Sequence, residues 1–240
     1  MTRDISPDLE KIRLYLTEPH PCSYLPDRQA TTAFVDPKVV IDVELYNRLS
    51  DLGFRRSGRY VYTPRCASCK ACIPIRIDAS GFSPSRPQRK CLNRNRDIAV
   101  ALVEQVDIEE HYPLYEAYIS ARHQDGDMYP PSRAQYQDFI GRAWHSTNFL
   151  EFRIHGRLVG CAVTDWLRNG LSAIYTYFDP GEERRSLGTF AILKQLETVL
   201  ERGRRYVYLG FWIRDSAKMS YKIRYRPAEL FINDYWLRVS

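Results

Sequence analysis

The chain has 240 residues, 44% hydrophobic and 27% charged, the composition of an ordinary globular protein with room for one large core or two modest ones. No apolar run approaches the roughly 20 residues of a membrane span, and the N-terminal MTRDISPDLEKIRLYLTEPHPC lacks the apolar core of a secretion signal. A cytoplasmic protein with six reduced cysteines and no membrane partner is expected, and the net charge of +6 suggests a polyanionic partner.

In chain order, residues 1–97 read as a turn-rich module. PHPC, FVDP, TPRC and GFSPSRP interrupt short apolar runs, of which KVVIDVELYNRL is predicted helical. Residues 98–240 are more regular. AVALVEQ reads as a strand and EEHYPLYEAYISARH as a helix. SRAQYQDFIGRAW is a second helix capped by Ser132. NFLEFRIHG, RLVGCAVTDWLRNG and LSAIYTYFDP follow as strands in hairpin order. ERRSLGTFAILKQLETVLERG is an amphipathic helix ending at Gly203, then come the strand RYVYLGFWI, a helical DSAKMSYKIRY and one final strand, ELFINDYWLRVS.

The charge is uneven. Arg86, Arg89, Lys90, Arg94 and Arg96 precede the first acid of their stretch, Asp97. A second group from Arg202 to Arg226 is interleaved with Tyr206, Tyr208, Phe211, Trp212, Tyr221 and Tyr225. Cations beside stacking rings suit RNA ends, and equally a solvated helix face beside core aromatics.

The element order resembles an α+β fold, the acyltransferase fold of the GNAT superfamily, in residues 98–240, after a smaller cysteine-containing module. That resemblance implies an acyl donor at the N-terminus of the long helix, near Arg185, Ser186, Leu187 and Gly188. The superfamily's coenzyme A loop reads roughly Q/R-x-x-G-x-G/A, and Arg185 to Phe190 matches it only through the first glycine. Phe190 would crowd a pyrophosphate, so coenzyme A is not expected, and the basic, aromatic-rich composition suggests tRNA as the carrier.

Several short motifs in fixed order carry a closer resemblance. They are Pro21-Cys22-Ser23-Tyr24-Leu25-Pro26, Tyr62 to Ile77, Phe82 to Arg86, Arg122 to Met128, Tyr175 to Pro180, Ser186-Leu187-Gly188, Gly210 to Ile213, Lys218-Met219, Tyr221-Lys222 and Tyr225-Arg226-Pro227. Together they resemble the bacterial aminoacyl-tRNA–protein transferases, the family that includes the eukaryotic arginyltransferases. RHQDGDM is similar to the leucyl-type enzymes. The resemblance implies transfer of leucine from Leu-tRNA to acceptor proteins beginning with Asp or Glu, marking them for degradation in an N-degron pathway. An arginyl enzyme is the alternative, with Asp125 or Asp127 as a carboxylate for arginine.

That chemistry needs no dedicated cofactor. An aminoacyl ester is already activated, so holding it against a free α-amine supplies most of the rate, and oxyanion stabilisation and proton removal supply the rest. The resemblance implies that Tyr175, Tyr177 and Asp179 line the reaction centre, with Asp179 as proton acceptor or ammonium anchor. Arg76, Lys218, Lys222 and Arg226 are the candidate cations for an acidic acceptor side chain. Arg122, His123, Asp125 and Asp127 form a pocket, a helix cap or a cation loop, while Ser186, Leu187, Gly188, Phe211 and Tyr221 complete the substrate-binding set.

Cys66, Cys69 and Cys72 stand in a C-x-x-C-x-x-C spacing, and Cys22 would complete four-coordination of a structural or regulatory metal. Leu25 occupies the place of the second cysteine in the relatives' N-terminal pair. Packed thiols are the alternative, and Cys91 and Cys161 read as structural. Two rival functions remain: a coenzyme A acetyltransferase, and a cysteine-metal RNA-binding module without catalysis.

Overall fold

A computed structural model describes residues 12–126, 128–141, 144 and 146–239. Its N-terminal strands are β1 (Leu14–Leu16), β2 (His20–Pro21), β3 (Gln29–Ala30) and β4 (Thr32–Val35). Helix α1 (Val43–Asp51) follows, started by the Asp42 carboxylate accepting from the Leu45 N–H at 2.7 Å. Then come β5 (Arg55–Ser57), β6 (Tyr60–Pro64), β7 (Ile73–Asp78), α2 (Arg86–Arg94), β8 (Ala99–Val103) and α3 (Ile108–Arg122). The short α4 (Arg133–Tyr136) begins at the predicted Ser132 cap and runs into a π-helical turn, Gln137–Gly141. The remainder is β9 (Thr147–Ile154), β10 (Arg157–Leu167), β11 (Gly170–Phe178), α5 (Leu187–Glu201), β12 (Tyr206–Trp212), β13 (Ala228–Ile232) and β14 (Tyr235–Val239).

An eight-stranded sheet in the order β14-β13-β7-β12-β11-β10-β9-β8 forms the body. One face carries α5 and α2 over a core that includes Phe152, Ala162, Leu171, Phe190, Leu196 and Val207. The opposite face is shared. Over its β9–β11 half, α3 and α4 pack Tyr115, Ile119 and Tyr136 on Phe149, Val163 and Tyr177. Beyond that, α1 and a four-stranded sheet, β1-β4-β6-β5, enclose Leu45, Tyr46, Val61, Leu167 and Tyr208.

This is the mixed α+β arrangement expected, with three differences. The sheets do not divide at residue 97, because β7 lies in the large sheet between β12 and β13. Its own run, Ile73–Asp78, places Ile75 and Ile77 in the main core. The last predicted strand is a hairpin, since Asn233 and Asp234 both take positive φ (50° and 66°) and form a two-residue turn. The predicted helix over residues 215–225 is only a 3₁₀ turn, Ser220–Arg224. It is held to β12 by the Trp212 indole donating to the Ser220 carbonyl and by Lys222 donating to that of Phe211.

Candidate active site

The site begins with a parting of two parallel strands. β11 and β12 pair only at Gly170–Tyr206, Leu171–Val207 and Ser172–Tyr208. Beyond Ser172, β11 bulges against β10 between Ala173 and Tyr175, while β12 slips register against β7 between Tyr208 and Phe211. β11 is fully buried up to Ser172 and mostly half-buried after it. The result is a V whose closed end is Ser172–Tyr208 and whose open end carries Tyr175 on one arm and Phe211 on the other.

Parting strands leave backbone carbonyls without ladder partners, and two cations take them. Arg55, from β5, donates Nη1 to Ser172 Oγ at 2.7 Å and to the Tyr208 carbonyl at 3.3 Å, and Nη2 to the Ala173 carbonyl. Lys222 donates Nζ to the Phe211 carbonyl at 2.9 Å and contacts Met219 Sδ. Gly210 makes this approach possible: its φ is +79°, and a Cβ there would stand 3.3 Å from Arg55 Nε.

Neither cation has a carboxylate among these partners, although Arg55 is 9% and Lys222 8% exposed. Burial, reinforced by Arg55, pulls the Lys222 ammonium down to a pKa of about 7. The surroundings come from the N-terminal module. Tyr62 packs on Phe211 at 6.1 Å, and the phenol of Tyr24 is pushed up to about 12 by burial and by its neighbours Tyr62, Cys72 and Cys22. Two buried cations whose hydrogen bonds all go to neutral groups offer a place for an anion.

The other wall is aromatic. Tyr118 packs on Tyr175 at 6.3 Å and on Phe178 at 4.8 Å, and its hydroxyl lies 3.3 Å from His123 Nε2. The Tyr175 hydroxyl is buried and has no hydrogen-bond partner, and burial raises its pKa. At the mouth, exposed Lys218 and Asp125 pair at 2.6 Å, joining the loop after β12 to the segment after α3. Tyr221 stands half-exposed near Tyr118. Burial and the charge of Lys218 lower the His123 pKa.

The V therefore brings together Tyr175, His123, Asp125, Lys218, Tyr221, Lys222 and Phe211 from the predicted set. Asp127 lies outside the described residues. Ser186 (φ 56°), Leu187 and Gly188 form the start of α5, with Gly188 against the Phe178 ring. Arg122 pairs with Glu183 at the surface, and Arg226 donates Nε to the Ile223 carbonyl.

Three candidates stand elsewhere. Asp179 caps the turn Pro180–Arg185 through the Gly181 N–H and pairs with Arg157 at 2.6 Å. Its carboxylate borders a groove of about 380 Å³ with Glu110, Pro113, Leu114 and Ala117. Tyr177 is wholly buried in a polar chain. Its hydroxyl meets His111 Nδ1 at 2.7 Å and Tyr136 at 3.1 Å, and His111 Nε2 meets Glu151 at 3.0 Å. Arg76 is saturated: Glu229 at 2.6 Å, the Tyr208 hydroxyl at 3.1 Å, and the rings of Tyr206 and Trp236 at 3.9 and 4.3 Å. It fastens sheet strands together, with its charge already matched by the Glu229 carboxylate.

The four candidate metal cysteines gather beside the cation pair. Cys72 is pushed up to about 12 by burial and by Cys22, Cys66 and Cys69, against the pull of Lys222. Among the described residues, no three His, Cys, Asp or Glu side chains converge closely enough to hold a metal ion as they stand. Cys91 and Cys161 are buried in the sheet cores. Sequence reasoning missed Arg55. RRSG gives two adjacent arginines at a strand start, and nothing in that spacing says both turn inward.

Comparison with known proteins agrees along the chain. Residues 20–90 match the family model described as arginine-tRNA-protein transferase, N terminus, and residues 110–232 match its C terminus. A protein of Saccharophagus degradans named aspartate/glutamate leucyltransferase is 53% identical over 96% of this chain and 98% of its own. One of the same name from Pseudomonas paraeruginosa is 52% identical over 97% and 99%. Among solved structures, L-PGS from Bacillus licheniformis aligns with a TM-score of 0.49 at 13% identity, over 75% of this chain and 52% of that one.

Proposed function

The chain belongs to the arginine-tRNA–protein transferase family, and from that premise we propose that it moves leucine from Leu-tRNA to the α-amine of proteins beginning with Asp or Glu. The observation that carries the acceptor half is the pair of buried cations, Arg55 at the closed end of the V and Lys222 on its β12 arm, whose hydrogen bonds go to neutral groups. An acidic side chain seated there supplies the missing anion, and it brings the adjoining α-amine up the V toward Tyr175.

The reaction then needs little more. The amine, with a pKa near 8 in an unfolded terminus, attacks the ester carbonyl carbon. The C–N bond forms as the C–O bond to the terminal ribose breaks, and the proton lost by nitrogen ends on the ribose oxygen. The Tyr175 hydroxyl, neutral and without a partner, donates to the oxygen that gains charge. Seating both substrates in one crevice makes their encounter unimolecular. Leucine as the transferred residue follows the names of the full-length relatives.

The test is labelled leucine on tRNA, offered with peptides that start with Asp, Glu, Asn or Gln. Transfer to the acidic pair alone is expected. Equal transfer to the amides, or transfer from Arg-tRNA in place of Leu-tRNA, contradicts the assignment.

A further inference from the structure

Helix α2 carries a run of charge that the site so far described does not use. Arg86, Arg89, Lys90, Arg94 and Arg96 are all exposed, and no acid occurs between Ala79 and Arg96. Gln88 and Cys91 turn inward, so the cations occupy the outer face. From Arg86 to Arg94 the helix rises about 12 Å. Among the described residues none of these five is ion-paired, unlike Arg153, Arg157 and Arg185, which all hold carboxylates.

The position of this face matters. The Cys91 thiol donates to the Ser186 carbonyl, Asn95 Nδ2 donates to the Arg185 carbonyl at 2.9 Å, and Arg94 donates to that of Arg184. The inner side of α2 is thereby docked onto the segment that starts α5, and exposed Arg184 joins the outer patch. That segment follows directly on the open end of β11, where Phe178 touches Gly188. The patch thus lies beside the start of α5, next to the open end of β11.

We propose that this face, Arg86, Arg89, Lys90, Arg94, Arg96 and Arg184, holds the phosphate backbone of the tRNA acceptor end, so that the aminoacyl ester enters the V beside α5. The inference rests on the aminoacyl-tRNA reading above and adds the surface that reading leaves unplaced. A row of guanidinium groups with no apolar centre matches a regularly spaced polyanion better than a protein surface, whose interfaces are built around buried apolar anchors.

The test is the double variant Arg86→Glu/Lys90→Glu. Both side chains are exposed, and an acid in the first helical turn suits the helix dipole, so folding is retained. Binding of Leu-tRNA is measured between about 50 and 200 mM salt, beside the KM for an Asp-starting peptide. The tRNA Kd is expected to rise about tenfold or more, with the slope of log K against log salt shallower by about 2, and the peptide KM to stay. An unchanged tRNA Kd and slope overturns the proposal, as does a rise in peptide KM alone, which would make this an acceptor face. A wild-type protein that transfers no leucine defeats the functional reading instead. The face then stands or falls on whether the variant weakens binding of uncharged tRNA.

Discussion

At the scale of single residues, Lys222 decides most. Its ammonium is held at a pKa of about 7 by burial and by Arg55, against an ordinary 10.5. Between those values the unfolded chain binds the extra proton, so raising the pH through this window stabilises the fold. A bound carboxylate favours the charged lysine. The KM for an Asp-starting peptide is therefore expected to climb as pH rises above about 7, even as more acceptor amine becomes free to react. Lys222→Met should raise that KM by roughly 10- to 100-fold, the worth of a charge-assisted hydrogen bond, and should remove the rise in stability that begins near pH 7. A flat KM from pH 6 to 9 in the wild type would show that the lysine does not meet the acceptor. Tyr175→Phe tests the opposite arm. It is expected to lower kcat about 10- to 100-fold with KM unchanged, whereas Asp179→Asn, at a capped and ion-paired turn, should change kcat little.

At the scale of elements, the V depends on Gly210. An alanine there must hold φ near +79° and press its Cβ toward Arg55, so Gly210→Ala is expected to destabilise by about 1–2 kcal/mol. It should also raise the acceptor KM, read from urea midpoints and peptide kinetics. This level was unevenly legible. The hairpin strands β9 to β11 and helix α5 follow from hydrophobic period and from turns such as HGR and RNG, which are local signals. The parting of β11 from β12 is not local: it is fixed by how two distant strands pair. Asn233-Asp234 was a turn signal hidden inside an apolar run. Within the site, the arm bearing Tyr175 and the motif around Lys222 were visible as patterns. Arg55 was not, because only the docking of β5 on the sheet turns a surface-type residue inward, and the pairing of Arg76 with Glu229 was hidden for the same reason.

At the scale of the whole molecule, the two sheets are welded by one buried ion pair. Arg56 grips Asp165 at 2.6 and 2.9 Å, and the same carboxylate accepts from Tyr46 at 2.8 Å and Thr147 at 2.6 Å. Asp165→Ala leaves a buried guanidinium without its partner and is expected to cost about 3–5 kcal/mol, visible as a lower thermal midpoint and poor acceptor binding together. The segments on either side of residue 97 share one sheet, because β7 from the first third lies between β12 and β13. Arg76 meets Tyr208 across 132 positions of sequence, a topology that predicts slow folding. Arg55 and Lys222 belong to opposite ends of the same long circuit. A nascent polypeptide still attached to the ribosome therefore cannot bring Arg55 and Lys222 together until residue 222 has emerged. Two separately expressed fragments, divided in the exposed stretch between β6 and β7, should be inert alone and regain selectivity only when mixed.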